Sequence, residues 1–412
     1  MAATLSHIDL NKTKIPLILE EDKRLPLINL QLIFRVSGSI EDSDKPGLAK
    51  LSAALLNEGT ASHGSTKFAE ILAADAIHLS AHAGTETFVI ELSALKEKKE
   101  KALMRLAELL LDPNLTPTAL QSVKVKALGR LKSKQDDFDY IAQRNLKKIL
   151  FANTPLANPA DGTKESIEAI SLEDVKNFLH THLVLARTIV AYGGDVNESS
   201  AKEELPSVLK LLKKGSDATL PFYEANDNEE KLIEHKETKQ AYIYFGSPFH
   251  MRYDDAQLYK AKVAAFILGS GGFGSRLMEE IRVKHGLAYS AYARIHINKS
   301  HTYFSGYMQT KLESQEEAWQ LSKKIIEEFV ANGATEEELK QTKRFLLGSE
   351  PLRNETMSQR LHKAFMEYYK GFPLGHSKEE LKKIEALDLA SLNAFIKKHK
   401  EIEKLSLSIV TK

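Results

Sequence analysis

The chain contains no cysteine among its 412 residues. That absence excludes disulfides, thiol catalysis, iron–sulfur clusters and cysteine-ligated zinc, so any metal site would have to draw on histidine and carboxylate ligands. Charge of one sign is missing too: 57 Lys+Arg against 56 Asp+Glu leave +1, which provides no electrostatic drive toward nucleic acid. No run approaches the ~20 apolar residues that a membrane span needs. Residues 1–8 lack the charged-then-apolar pattern of a secretory leader, and 13–18 is only a short apolar stretch. An abrupt start without cysteine favours a soluble periplasmic or exported domain over a cytoplasmic one, with the compartment left open. What is present is ordinary for a globular protein: 42% hydrophobic and 27% charged residues. At roughly 150 residues per domain, the length predicts two or three domains.

The hydrophobic pattern alternates strands with amphipathic helices. Residues 27–36 read as a strand and 47–56 as a helix stopped by Gly59. A strand pair is expected at 77–83 and 87–95. Ala102, Leu103, Leu106, Leu109 and Leu110 mark the buried face of a helix over 96–111. A long helical region should follow from 117 to about 151, then a short buried strand at 188–193. Between 206 and 230 the chain turns polar and is broken by Pro206, Gly215 and Pro221. Beyond it the same order recurs, with strands at 231–235 and 240–245, helices at 255–268 and 275–284, and a strand pair at 287–297 and 302–310. Helices through 355–369 and a last strand at 405–410 complete this half. The repeat predicts an α+β fold of two homologous domains, each a mostly antiparallel or mixed β-sheet packed with α-helices. The expected boundaries are 1–205, a linker at 206–230, and 231–412.

A search for catalytic patterns returns little. No His-Glu-x-x-His or its inverse occurs, nor a phosphate-binding loop or a nucleophile elbow. His78 and His82 share one face of their strand and read as surface residues. The run Gly269-Ser270-Gly271-Gly272-Phe273-Gly274 lies between two expected helices, so the strand that a dinucleotide fingerprint requires is missing. It reads either as a hinge or as backbone that approaches a ligand closely, with Gly271, Gly272 and Phe273 as its candidate substrate-binding residues.

Two segments resemble something specific. FRVSGSIED (34–42) followed by PGLAKLSAALLNEGT (46–60) resembles the zinc-site region of the pitrilysin/insulinase family of metallopeptidases. GSRLMEEIRVKHGLAYSAYA (274–293) resembles that family's motif in the C-terminal half. The resemblance covers nearly the whole chain and points to the short branch that includes the mitochondrial processing peptidases. It implies a two-halved fold in which zinc is held by His-x-x-Glu-His and a distant glutamate. Laid on that pattern, the two histidines fall on Lys50 and Ala54 and the catalytic glutamate on Ala53. The third ligand should lie near residues 129–131, yet nothing acidic occurs between Asp112 and Asp136. An ammonium offers no lone pair near neutral pH and a methyl group no donor atom, so Lys50, Ala53 and Ala54 are vestigial positions and no catalytic zinc is expected.

The second motif keeps Arg282 and, seven residues on, Tyr289. The resemblance implies that the tyrosine hydroxyl donates to a developing oxyanion and that the arginine holds the substrate backbone or fixes the tyrosine. It therefore implies the non-catalytic subunit of a heterodimeric peptidase. A homologous partner would carry the zinc and the general base, and the substrate would be a peptide or unfolded polypeptide added to a sheet edge. A structural or peptide-holding scaffold of the same fold is the alternative.

Overall fold

A computed structural model describes residues 3–412 of the chain. Eleven strands form two sheets among these residues. The first contains β1 (Thr4–Leu10), β2 (Thr13–Glu21), β3 (Leu27–Arg35), β4 (His78–Ala83), β5 (Thr87–Leu95) and β6 (Thr188–Gly194), in the spatial order β1-β2-β6-β3-β5-β4. The second contains β7 (Lys231–His235), β8 (Gln240–Pro248), β9 (Ala288–Ile297), β10 (Thr302–Lys311) and β11 (Ser406–Thr411), in the order β7-β11-β8-β10-β9.

Without β1 the two orders are the same. β2 runs parallel to β6 as β7 does to β11, and each remaining pair is antiparallel in both sheets. Mixed sheets of matching topology, each packed with helices, make this an α+β fold of two homologous halves. β1 lies outside the expected pattern because only Ile8 of its seven residues is buried, which leaves no alternation to read. Asn11 and Lys12, with φ of 51° and 60°, form the tight turn that folds it onto β2.

On one face of the first sheet, Leu30, Leu32, Phe34, Phe88, Ile90 and Leu92 pack against the helices that follow β3 and β5. The other face carries Ile18, Ile33, Val89, Ile189 and Ala191. It is covered from far along the chain by the helix Met357–Tyr369, through Leu361, Ala364, Phe365 and Tyr369. The second sheet receives the reciprocal helix, Phe138–Leu150, against β8 and β11. The long helical region expected from 117 to about 151 consists of two helices. Pro117–Ser133 ends in a tight turn, and Asp137 restarts the helix by accepting the Tyr140 N–H at 3.0 Å.

Because each half lends a helix to the other's sheet, the compact units are discontinuous in sequence. One comprises residues up to Lys132, Asn158–Leu220 and Leu352–Gly375; the other comprises Ser133–Ala157, Pro221–Pro351 and His376–Lys412. The polar segment between the halves is tied down at both ends. Lys213 and Lys214 carbonyls accept the N–H groups of Leu185 and Ala186, while Tyr223 donates to Ser300 at 2.7 Å. Among the described residues no helix is long and apolar enough to cross a membrane.

Candidate functional site

Lys50, Ala53 and Ala54 lie on the helix Leu48–Leu56. The Asp42 carboxylate organises its start, accepting the N–H groups of Gly47 at 2.8 Å and Ala49 at 2.7 Å. Asp42 is itself buried, and burial pushes its pKa up to about 7 against the opposing pull of those two hydrogen bonds. Lys50 faces outward and its Nζ lies 2.8 Å from Asp161 Oδ1. Ala53, at 3% exposure, is part of the leucine-rich core, and Ala54 packs against the same cluster. Beyond the helix, the Asn57 side chain donates to the Ala81 carbonyl at 2.9 Å and accepts its N–H at 2.7 Å. Ala81 belongs to β4, the outer strand of its sheet, so these two bonds occupy backbone groups that an added strand would use.

This donor set does not fit a zinc ion. The one ammonium is already ion-paired, and the other two positions are methyl groups. On the helix Pro117–Ser133, where the third ligand would be sought, Gly129 and Arg130 are exposed and carry no carboxylate. No group of three His, Asp or Glu side chains that could hold a metal occurs among the described residues.

The second motif is arranged quite differently. A π-helical turn, Phe266–Ser270, leads into the glycine-rich loop, and a second, Met278–Lys284, carries Arg282. π-Turns inside helices are uncommon and concentrate at functional sites. Gly269 is required by packing, since a Cβ there would lie 2.2 Å from the Ala293 backbone nitrogen of β9. Gly272 adopts a left-handed φ of 64° in open space, which turns the chain back toward Arg282. As a result the Arg282 guanidinium lies 4.9 Å from the Phe273 ring centroid and 5.1 Å from that of Tyr289. Both rings are open to solvent, at 71% and 70% exposure. No ion pair engages Arg282 among the described residues, whereas its neighbour Lys284 is paired with Glu280 at 2.6 Å. Tyr289 sits near the start of β9, the outer strand of the second sheet.

The structure thus brings Phe273, Arg282 and Tyr289 into one stack. Gly271 and Gly272 contribute the backbone shape that delivers Phe273, and Lys50, Ala53 and Ala54 share one helix of the other unit. Sequence reasoning did not find the Lys50–Asp161 pair, whose members are 111 residues apart, or the Asn57 clamp on β4. The stacking role of Phe273 left one trace: an aromatic residue inside a glycine run.

Two family profiles match the chain: "Insulinase (Peptidase family M16)" over residues 18–164 and "Peptidase M16 inactive domain" over 169–346. A Helicobacter pylori protein, "Non-peptidase homolog YmxG", is 45% identical over 100% of this chain and 95% of its own length. Among solved structures, a peptidase M16 inactive domain from Pseudomonas fluorescens superposes with a TM-score of 0.91 at 25% identity, covering 100% of this chain and 98% of that one. A protease from Helicobacter pylori shares the fold, with a TM-score of 0.83 at 16% identity over 100% of this chain and 99% of that one.

Proposed function

Because the chain belongs to peptidase family M16, as a non-catalytic member, we propose that it serves as the zinc-less subunit of a two-chain peptidase and lends Arg282 and Tyr289 to a partner's active site. The observation that carries this reading is the Phe273–Arg282–Tyr289 cluster: a cation without an ion pair among the described residues, over two exposed aromatic rings. Exposed rings of this size gain little on a free surface, and a cation–π contact at an exposed site contributes only about 0.5–1 kcal/mol. Their presence is accounted for if a peptide and a second subunit cover them.

The chemistry follows from the groups. In the partner's site a zinc ion would activate water and a carboxylate would take its proton. Tyr289 donates its hydroxyl hydrogen to the scissile carbonyl oxygen as that oxygen gains charge, and Arg282 anchors a neighbouring backbone carbonyl. The extended peptide runs along the outer edge of a sheet, with Gly271, Gly272 and Phe273 lining its path. Helicobacter pylori contains both a non-peptidase relative of this chain and a protease of the same fold, the two kinds of subunit that such a pairing requires.

The test is co-expression with a zinc-bearing M16 chain from the same genome and an assay on a flexible peptide. The complex should cleave, and Arg282→Ala should assemble normally while losing most of the activity. Undiminished cleavage by Arg282→Ala would remove the role given to the stack. Failure to co-purify with any zinc-bearing relative would remove the pairing.

A further inference from the structure

The second unit contains a cleft of about 250 Å³ at the far end of β8, between the turn that leaves this strand and the segment that precedes β7. Phe222, Phe249 and Met251 provide apolar walls. Three charged side chains, Arg252, Glu224 and Asp255, line the same opening, and none of them forms an ion pair among the described residues. Arg252 lies 4.0 Å from the Phe222 ring centroid, which fixes its plane and leaves its N–H groups to be used. Asp255 is held by the Gln257 N–H at 2.7 Å. The turn itself is held by Glu401, which accepts the His250 backbone N–H at 3.0 Å, and His250 also lines the cleft. Thr302, at 2% exposure, also lines the cleft.

From this combination we infer that the cleft binds an apolar α-amino acid as its zwitterion, with the carboxylate on Arg252, the ammonium on Glu224 and Asp255, and the side chain against Phe249 and Met251. Opposite charges that share a cleft without pairing match a ligand with both charges on one carbon. The size agrees, since about 250 Å³ holds roughly eight water-sized groups at ~30 Å³ each, the bulk of a single residue. The inference does not depend on the pairing or on Arg282, because the cleft and its groups belong to different elements.

Calorimetric titration of the full chain with L-leucine, leucinamide and N-acetyl-leucine tests it. The two derivatives mimic the N- and C-terminal residues of a peptide and so separate a free amino acid from a chain end. Free leucine should bind saturably and each derivative at least about tenfold more weakly, the equivalent of one lost charge-assisted contact. Arg252→Gln should weaken leucine about tenfold or more and abolish its advantage over leucinamide. The double variant Glu224→Gln/Asp255→Asn should abolish its advantage over N-acetyl-leucine. These side chains are on the surface, and an unchanged melting curve shows that the fold is intact. No saturable binding of leucine, methionine or phenylalanine to the wild type would overturn the proposal. Equal affinity for either derivative, or an Arg252→Gln variant that binds as the wild type does, would overturn it as well.

Discussion

The helix that carries Lys50 and the turn that carries Arg282 occupy corresponding stretches of two copies of one fold, each between the second and third strands of its repeat. In the first copy every group is consumed locally. Lys50 pairs with Asp161, Ala53 fills the core, and Asn57 takes both free backbone groups of Ala81. In the second copy Arg282 has only two ring faces for company, and those rings stand in solvent. One half of a duplicated fold can thus be closed by core and edge contacts while the other half keeps a surface with no internal use. The difference separates packing from function more cleanly than the missing histidines alone, because losing a ligand does not require the vacancy to be filled.

The comparison can be broken most forcefully at Ala53. Ala53→Glu puts back the family's carboxylate in a site where a buried, unpaired charge has nowhere to go. A loss of about 3–5 kcal/mol, or a failure to fold, should appear in thermal or denaturant unfolding. Wild-type stability would mean that the helix is not closed against the core. Asn57→Ala comes next. Freeing two backbone groups on an outer strand should cost about 1–3 kcal/mol and speed hydrogen exchange at the Ala81 amide, without affecting exchange in β9.

Asp42 sharpens the same contrast through pH. Its folded pKa of about 7 lies above its ordinary 3.8, so the folded chain holds this proton where the unfolded chain has released it. The stabilising contribution is complete below about 3.8 and is lost as pH rises toward 7. Stability measured across that window should therefore slope downward from this group, and Asp42→Asn should flatten the slope. Smallest of all is Lys50→Ala, because a half-exposed ion pair contributes at most about 1 kcal/mol, and less as salt is raised.

Much of this organisation is legible in the chain itself. The α+β class and the repeated order of elements in two halves follow from periodicity, and the family resemblance, with residues that cannot ligate, points to the emptied motif at Lys50, Ala53 and Ala54. Four features are not. β1 buries one residue, too few to leave a period. The helices Phe138–Leu150 and Met357–Tyr369 have ordinary amphipathic patterns, and an apolar stripe does not say which sheet it will cover. The Lys50–Asp161 contact is long-range and made from common residues. The stack of Phe273 on Arg282 depends on the left-handed turn at Gly272, whose direction the glycine run permits without specifying.

The central claim, that the open region acts and the closed one only packs, is tested most directly by kcat/KM of the assembled two-chain peptidase carrying Tyr289→Phe or Lys50→Ala, measured side by side. Removing an oxyanion donor elsewhere costs about 10²–10³ in rate, so Tyr289→Phe should lose activity on that order while Lys50→Ala stays at the wild-type value. Equal activity of the two variants, or a larger loss from Lys50→Ala, would contradict the account.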